Sequence, residues 1–245
     1  MVTKLTKKST NKSNFYFSYS RVARLFRSCN FFIIFAAMNN VSDNKVPVIG
    51  IARHRLATDG NGVTTLVAFH GCPLRCKYCL NPQSLGDDKP RQCYTAASLY
   101  NEVNIDNLYF IATEGGVTFG GGEPCLRHDF ILQFKELCGN DWKLTLETSL
   151  NVPQRFFSSL LPVIDNFIVD VKDMNSKIYQ LYTGKDNHNV LDNLKLLIEH
   201  NRQHDTIIRL PLIPSFNTEE DRIKSRSILE NMGFHNFDIF TYTIK

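Results

Sequence analysis

The sequence lacks any apolar run long enough to cross a membrane. Its longest, from Phe31 to Met38, is far shorter than the roughly 20 apolar residues of a spanning helix. The pairing pattern of a secreted disulfide protein is also missing, because the seven cysteines are odd in number and three of them lie within residues 72–79. These absences predict a protein without a membrane partner, in the reducing environment of the cytoplasm.

Acidic residues are absent from the first 37 positions, which contain seven of the 28 Lys and Arg residues and none of the 24 Asp and Glu residues. The other positions therefore hold 21 basic and 24 acidic residues, a net charge of −3, and this mildly acidic body predicts no nucleic-acid partner. Residues 1–37 superficially resemble a secretory or transit peptide. We predict instead a basic N-terminal extension that is disordered or not part of the native protein, which would then start at Met38.

Strand-like and helix-like stretches alternate from Val46 onward. Apolar, β-branched runs predict six strands, and helical spacing of apolar residues predicts five helices interleaved with them. The strands are expected within 64–71, 115–121, 142–149, 166–173, 206–214 and 237–244, and the helices within 95–104, 128–139, 152–164, 189–201 and 218–233. Regular alternation indicates parallel strands with right-handed crossovers. We therefore predict an α/β fold, either a doubly wound sheet or a closed or partial barrel, in one domain over residues 46–245.

Unusual motifs follow the predicted strands at the ends where parallel sheets bind ligands. The cysteine loop "FHGCPLRCKYCLNP" follows the first strand, "GGEP" the second, "LETS" the third and "DVKD" the fourth, and Arg209 lies in the fifth. Because these strand ends meet at one edge of the fold, we expect motifs that are far apart in the chain to form a single site.

The cysteine loop places Cys72, Cys76 and Cys79 at a spacing that suits three corners of a cubane iron–sulfur cluster, whose fourth iron would stay open. A structural zinc site is one alternative, but it needs four protein ligands that leave no open coordination position. His70 could be the fourth, since Cys93, Cys125 and Cys138 are dispersed singles. Unligated core cysteines are another alternative, which the polar character of the loop disfavours.

The cysteine spacing, with Tyr78 before the last cysteine, and the "GGEP" motif resemble the radical S-adenosylmethionine superfamily. Within it, "TDGNG", "VTFGGGEPCLRHDFI", "FIVDVKDMNSKIYQLYTGKDNHNVLDNLKLL" and "IIRLPLIPSFN" are similar to motifs of the glycyl-radical-enzyme activating proteins. The resemblance covers most of residues 50–243. It implies a partial (β/α)6 barrel of the radical S-adenosylmethionine type.

The resemblance also implies a [4Fe-4S] cluster and S-adenosylmethionine as cofactors. Reductive cleavage would give methionine and a 5'-deoxyadenosyl radical, which takes a hydrogen atom from a glycine of a partner such as pyruvate formate-lyase. Flavodoxin or ferredoxin would donate the electron, and we expect a monomer. Two alternatives stay open: a radical enzyme that acts on a small molecule, like the deazaguanine-forming synthases, and a non-catalytic iron–sulfur or zinc protein.

The resemblance assigns the first half of the site to the cysteine loop and the second strand. The cluster ligands would be Cys72, Cys76 and Cys79, and Tyr78 would stack near the adenine or pack within its own loop. The methionine amino group would meet Gly121, Gly122 and Glu123, with Pro124 fixing the turn.

The later strands carry the rest of the implied site. Glu147, Asp170 and Lys172 would surround the ribose and the methionine carboxylate, and Lys172 would also be catalytic. Alternatively, these residues form a charge cluster at the strand ends without a role in binding. Arg209 would pair with the carboxylate or with an internal acid. A monovalent cation is expected at Glu147, Thr148 and Asp170.

The sequence departs from the family pattern at four points. Val63 and Thr64 stand where a basic residue is usual, and Gly120 replaces the commoner Ser. Thr243 lies near the position of a cofactor-proximal His, and no closing helix follows before Lys245, so we expect a minimal or truncated barrel. No second cysteine-rich insertion of the ferredoxin type is present, which excludes the subset of activating proteins with additional clusters.

Overall fold

The protein is described by a computed structural model that covers residues 44–56, 59–86 and 91–242. The predicted extension of residues 1–37, the predicted start at Met38 and the departure at Thr243 lie outside these ranges. The strands are β1 Val46–Leu56, β2 Val63–Phe69, β3 Gln92–Tyr94, β4 Gly116–Gly121, β5 Lys143–Thr148, β6 Asn166–Asp170, β7 Thr206–Leu212 and β8 Phe237–Thr241. The helices are α1 Ala96–Val103, α2 Asn107–Thr113, α3 His128–Cys138, α4 Gln154–Ser158, α5 Ser176–Thr183, α6 His188–Glu199 and α7 Glu219–Asn231.

The strands form one sheet in the order β3-β1-β2-β4-β5-β6-β7-β8. From β2 to β8 the neighbours are parallel, and these six strands are the six that the sequence predicts. β1 and β3 extend the sheet as antiparallel strands that the sequence analysis missed. The predicted α/β fold, a partial (β/α)6 barrel, is confirmed.

Helices cover the sheet and bury an aromatic core. Phe69 and Phe119 stack on neighbouring strands, and Phe134 of α3 meets Phe119 edge-on. Gly139 caps the end of α3, and a capping box between Thr218 and Asp221 opens α7. The helix predicted within 152–164 is shorter, and α2 and α5 were not predicted. Within the described ranges, no helix has both the length and the apolar character needed to cross a bilayer.

A buried carboxylate joins β1 and β2 to the start of α2. Asp106 is fully buried and accepts hydrogen bonds from Arg53 Nε at 2.8 Å and Thr65 Oγ1 at 2.9 Å, and His54 Nε2 lies 2.9 Å away. The hydrogen bond from Arg53 is the main reason that the pKa of Asp106 lies below its ordinary value. The charged form of Asp106 therefore stabilises the folded state.

Replacing Asp106 with Asn should lower the free energy of unfolding at pH 7 by about 2 kcal/mol, because hydrogen bonds to a charged acceptor are lost. Since the folded pKa is lowered, this contribution is present above the unfolded value near 3.9 and disappears as the pH falls through the folded pKa. The variant should thus lose less stability than the wild type between pH 5 and pH 3, measured by urea unfolding. Asp192→Asn is the control, because the Asp192 pair with Lys195 is exposed. Equal pH slopes for wild type and Asp106→Asn would refute the assignment.

Candidate active site

The carboxyl ends of β2, β4, β5 and β6 border a solvent-open cleft. The cleft contains most of the residues that the sequence assigns to one site, so their predicted convergence is observed. Pro124 and Arg209 are not among the lining residues. The lining residues are Cys72, Leu74, Cys76, Tyr78, Cys79, Leu80, Asn81, Gly121, Gly122, Glu123, Glu147, Thr148, Ser149, Asp170, Lys172, Tyr182 and Tyr242.

The start of the cysteine loop is hydrogen-bonded to the end of β4. The amide of Gly122 donates to the Phe69 carbonyl at 2.9 Å, and the amide of Glu123 donates to the Gly71 carbonyl at 2.8 Å. The cysteine loop and the "GGEP" motif, which both carry the resemblance, are therefore in direct backbone contact.

The middle of the cysteine loop is hydrogen-bonded to the end of α5. The amides of Arg75 and Lys77 donate to the carbonyls of Thr183 and Tyr182, at 2.8 and 3.2 Å. Gly184 follows with a φ of +78°, a left-handed value that glycine adopts without strain. This bend leaves the last carbonyls of α5 free to accept from the loop. The unpredicted helix α5 thus helps to position the cysteines.

Gly122 has no room for a side chain. A Cβ atom there would lie 2.2 Å from the Gly71 oxygen and 2.9 Å from the Phe69 oxygen, both backbone atoms that cannot rotate away. Gly122→Ala should therefore push the cysteine loop off β4. We expect the free energy of unfolding to fall by about 2 kcal/mol or more, as for other overpacked sites, and iron retention after reconstitution to decrease.

The matched control is Gly50→Ala, because nothing lies within 4 Å of a Cβ at that position in β1. Thermal unfolding and iron content of the two variants test the contact. A Gly122→Ala protein with the wild-type melting temperature and wild-type iron content would disprove it.

The carboxylate of Glu123 is buried, and each of its two oxygens accepts two hydrogen bonds from the protein. Its Oε1 accepts from Thr148 Oγ1 at 2.6 Å and from the Cys125 amide at 3.2 Å. Its Oε2 accepts from the Ser149 hydroxyl at 2.7 Å and from the Ser149 amide at 3.0 Å. Glu123 therefore ties the end of β4 to the end of β5. Its implied contact with a methionine amino group stays a prediction.

Lys172 is the one cationic side chain among the described residues that line the cleft. It forms an ion pair with Asp170 and donates a hydrogen bond to Tyr242 Oη at 2.8 Å. Burial alone would lower the pKa of Lys172, but the Asp170 carboxylate outweighs burial and holds that pKa well above its usual value. The cleft therefore contains a permanent positive charge at neutral pH.

Two buried oxygens of the cleft have no hydrogen-bond partner in the described part of the chain. They are Asp170 Oδ1, whose sister oxygen is paired with Lys172, and Tyr182 Oη. Buried polar atoms are nearly always satisfied in folded proteins. Their lack of partners in a cleft indicates a place for a polar ligand.

Arg209 pairs with two internal acids. Its Nη1 lies 2.6 Å from Glu147 Oε1 and its Nε 3.2 Å from Asp238 Oδ2. Burial raises the pKa of Glu147, and the Arg209 guanidinium offsets part of that rise. Of the two roles considered for Arg209, the structure contains the pair with internal acids. A role as a direct cofactor contact stays a prediction.

The predicted monovalent-cation site has most of its oxygens already engaged. Glu147 Oε1 is bound by Arg209, Thr148 Oγ1 donates to Glu123, and Asp170 Oδ2 is paired with Lys172. Asp170 Oδ1 is buried and lacks a partner in the described ranges. The cation site stays a prediction.

The thiols of Cys72 and Cys76 are partly buried and hold their protons in the absence of a metal. Burial, followed by the nearby Glu123 carboxylate, raises the pKa of Cys72 to about 12, and burial raises the pKa of Cys76 to about 11. Ligation must therefore displace these protons, as is usual for thiolate metal sites. The three thiols of Cys72, Cys76 and Cys79 in one cleft fit the three protein corners of a cubane cluster.

The zinc alternative gains no support from the described residues. Among them, no group of three or more His, Cys, Asp or Glu side chains is arranged to hold one metal ion. His70, the fourth ligand considered, has its Nε2 2.9 Å from the Gly86 carbonyl and its Nδ1 3.4 Å from Arg91 Nη1.

The aromatic ring of Tyr78 satisfies one of its two expected roles. It packs edge-on against Tyr182 and Phe216, with centroid distances of 6.1 and 5.6 Å, and it also lines the cleft. Packing within the loop region is therefore observed, and stacking on an adenine stays a prediction.

Several residues of the cleft were missed by the sequence analysis. Tyr182 lies in the unpredicted helix α5, and Tyr242 follows β8, one position before Thr243. Asn81 Nδ2 donates a hydrogen bond to the Gly121 carbonyl at 3.0 Å, which joins the end of the cysteine loop to β4. Tyr182 lies within the quoted stretch "FIVDVKDMNSKIYQLYTGKDNHNVLDNLKLL", but no role was assigned to it, and the alternation of "FDIFTYTI" could have placed Tyr242 on the inner face of the barrel.

The "TDGNG" segment has its basic partner just before it in the chain, at the end of β1. Asp59 is buried and pairs with Arg55 of β1, whose Nε lies 2.5 Å from Asp59 Oδ2. The usual basic residue after this motif is absent here, since Val63 and Thr64 occupy those positions. Arg55 supplies the positive charge in its place.

Comparison with known proteins identifies the family. Residues 66–225 match the model of the radical SAM superfamily. The pyruvate formate-lyase-activating enzyme of Staphylococcus epidermidis is 31% identical over 193 residues, which cover 75% of this chain and 76% of that enzyme. The (2S)-3-sulfopropanediol dehydratase activating enzyme of Klebsiella oxytoca is 28% identical over 238 residues, which cover 71% and 74% of the two chains.

A solved structure supports the fold. SuiB from Streptococcus suis, bound to S-adenosylmethionine, superposes with a TM-score of 0.56 at 16% identity. The match covers 74% of this chain and 42% of SuiB. At this identity the likeness extends to the fold alone.

Proposed function

The chain belongs to the radical SAM superfamily and, within it, to the activating enzymes of glycyl radical enzymes, and from this premise we propose that it cleaves S-adenosylmethionine and installs a glycyl radical on a partner enzyme. The observation that carries the proposal is the convergence of three thiols from one loop with unpartnered buried oxygens in a single cleft. The thiols suit a cluster, and the oxygens suit a polar organic cofactor beside it.

The cluster would be held by Cys72, Cys76 and Cys79, and S-adenosylmethionine would lie between the cysteine loop and the ends of β4 to β6. When bound, a [4Fe-4S] cluster with one open iron supplies the electron that splits S-adenosylmethionine into methionine and a 5'-deoxyadenosyl radical. The three protein thiolates leave that iron available for the cofactor.

The other cleft residues bind and orient the cofactor. Lys172 carries a permanent positive charge, so it suits the carboxylate of the methionine group, while Asp170 Oδ1 is an acceptor for a ligand hydroxyl or amine. Gly122 lets the end of β4 approach the cysteine loop, and Glu123 fixes that strand end to β5. This scaffold would hold the cluster and S-adenosylmethionine in one relative position, so that less entropy is lost when the reactive arrangement forms.

Electrons would come from flavodoxin or ferredoxin, which must approach the cysteine loop. Arg75 and Lys77 are exposed on this loop and present positive charge beside the cluster ligands. Such charges favour encounter with an acidic partner. The target of the radical would be a glycyl radical enzyme such as pyruvate formate-lyase.

The proposal is tested by anaerobic reconstitution with iron and sulfide, reduction, and addition of S-adenosylmethionine together with a glycyl radical enzyme. We expect 5'-deoxyadenosine and a glycyl radical signal in the electron paramagnetic resonance spectrum. A target whose radical glycine is replaced by alanine should give no such signal. Formation of 5'-deoxyadenosine without a protein radical on any glycyl radical enzyme would favour a small-molecule substrate, and the absence of 5'-deoxyadenosine would overturn the proposal.

A further inference from the structure

Tyr242 makes one of the two contacts that hold the ammonium group of Lys172. Lys172 Nζ donates to Tyr242 Oη at 2.8 Å and lies 5.4 Å from the centre of the same ring. The other contact is the ion pair with Asp170. Lys172 and Tyr242 are both buried, and both line the cleft. The sequence analysis assigned no role to Tyr242.

The Lys172 ammonium group has a donor to spare. A lysine ammonium carries three N–H donors. One donor of Lys172 is used by Asp170 and a second by Tyr242, and the group has no third hydrogen-bond partner among the described residues. Because the nitrogen is tetrahedral, two fixed partners set the direction of the third N–H bond. Since Lys172 lines the cleft, this third donor is available to a ligand there.

Tyr242 is itself held in place, so its hydroxyl is a fixed acceptor. Its amide donates to the Leu212 carbonyl at the end of β7, at 3.0 Å. Its ring packs against Phe240 and Tyr182, with centroid distances of 5.4 and 6.3 Å. A lysine side chain is a flexible stem whose donors rotate, so one partner alone would leave the ammonium group free to turn. The second, rigid partner restricts that rotation.

The direction of the ammonium group matters because the cleft is otherwise acidic. Three carboxylates line it, those of Glu123, Glu147 and Asp170. An anionic group of a ligand is repelled by these side chains and attracted by Lys172. Such a group therefore binds only where a donor of the ammonium group faces it, and a charge-assisted hydrogen bond rewards that alignment.

We propose that Tyr242 is a positioning residue that directs the third N–H donor of Lys172 toward the carboxylate of S-adenosylmethionine. The inference rests on the proposed function, because the ligand is the cofactor named there. Tyr242 acts through Lys172 and contributes to binding only while the lysine is present.

The test compares the binding of S-adenosylmethionine with that of its decarboxylated analogue, which lacks the carboxylate. Both compounds are titrated calorimetrically into the reconstituted full-length protein without a reductant, so that no cleavage occurs. The wild type should bind S-adenosylmethionine at least about 10-fold more tightly than the analogue. Tyr242→Phe keeps the ring and removes the acceptor. It should weaken binding of S-adenosylmethionine about 3- to 10-fold and leave binding of the analogue unchanged.

A double-mutant cycle with Lys172→Met tests whether Tyr242 acts through the lysine. When Lys172→Met is already present, adding Tyr242→Phe should cause no further loss of S-adenosylmethionine binding, because the two residues act as one unit. A further loss of about 3-fold or more in the double variant would mean that Tyr242 contacts the ligand directly. That result would overturn the positioning role.

Tyr179→Phe is the matched control. Tyr179 is a buried tyrosine whose hydroxyl accepts from Asn151 Nδ2 at 3.1 Å, and it does not line the cleft. Tyr179→Phe and Tyr242→Phe each lose one buried hydrogen bond, so both melting temperatures should fall by about 2 to 4 °C. Only Tyr242→Phe should change the preference for S-adenosylmethionine over the analogue.

The remaining outcomes separate this inference from the proposed function. Equal weakening of both compounds in Tyr242→Phe would mean a general structural role and would overturn the inference. An unchanged preference in Tyr242→Phe would also overturn it, and the proposed function would stand. A wild type that binds neither compound would overturn the inference and the proposed function together.

Discussion

Replacing Cys76 with Ala should reduce the formation of 5'-deoxyadenosine by more than about 1,000-fold, to the background of the cluster-free protein, since enzymes accelerate their reactions at least about a million-fold. Cys76 is the middle ligand of the loop and sits in the cleft near Lys172. With one thiolate removed, the loop offers two ligands and cannot hold a cubane at three corners. Iron content and the absorbance of the cluster should fall with the activity.

The control is Cys93→Ala. Cys93 is exposed in β3 and does not line the cleft, so its loss should leave iron content and cofactor cleavage at the wild-type level. A Cys76→Ala protein that still binds about four irons and cleaves the cofactor would show that the cluster lies elsewhere.

Replacing Lys172 with Met should lower the free energy of unfolding by about 2 to 3 kcal/mol and slow cofactor cleavage by about 100-fold. The stability loss arises because Asp170 would lose its counterion while one of its oxygens already has no partner in the described chain. The figure is below the usual cost of breaking a buried pair, because the Asp170 side chain is 22% exposed. The loss of activity arises because the cleft would lose its positive charge.

The double variant Asp170→Asn with Lys172→Met separates the two effects. With both charges removed, stability should recover most of its loss, whereas cofactor cleavage should stay low. Lys143→Met is the control, because Lys143 is half-exposed in its pair with Asp165 and should contribute less than about 1 kcal/mol. Recovery of activity in the double variant would mean that Lys172 serves only to neutralise Asp170.

The sequence predicted the six parallel strands because their apolar runs are buried on both faces, as in β4 and β6. β1 was missed because "VPVIGIARHRL" contains Pro47, Gly50 and three basic residues, and its pairing with β2 is irregular in two places. α5 was missed for a different reason. Its sequence "SKIYQLYT" is rich in β-branched and aromatic residues with modest helix propensity, so its helix depends on tertiary contacts.

The same distinction applies to the site. Cysteines and acids at the ends of parallel strands could be placed together because strand order alone brings those ends to one edge. Tyr182 could not be placed, because an aromatic residue in a short apolar segment is equally expected in a core. Arg55 is a different case: it lies four residues before Asp59, so this ion pair is local in the sequence.

The cysteine loop is clamped on two sides by backbone hydrogen bonds, to β4 through Gly122 and Glu123 and to α5 through Thr183 and Tyr182. These bonds are made by the polypeptide backbone and use none of the cysteine thiols. Small zinc domains differ, because they unfold when their metal leaves. For this protein, damage of the cluster by oxygen should strip the inorganic part and spare the chain. A new cluster could then be assembled on the same polypeptide, so that recovery from exposure to air would need iron and sulfide but no new protein synthesis.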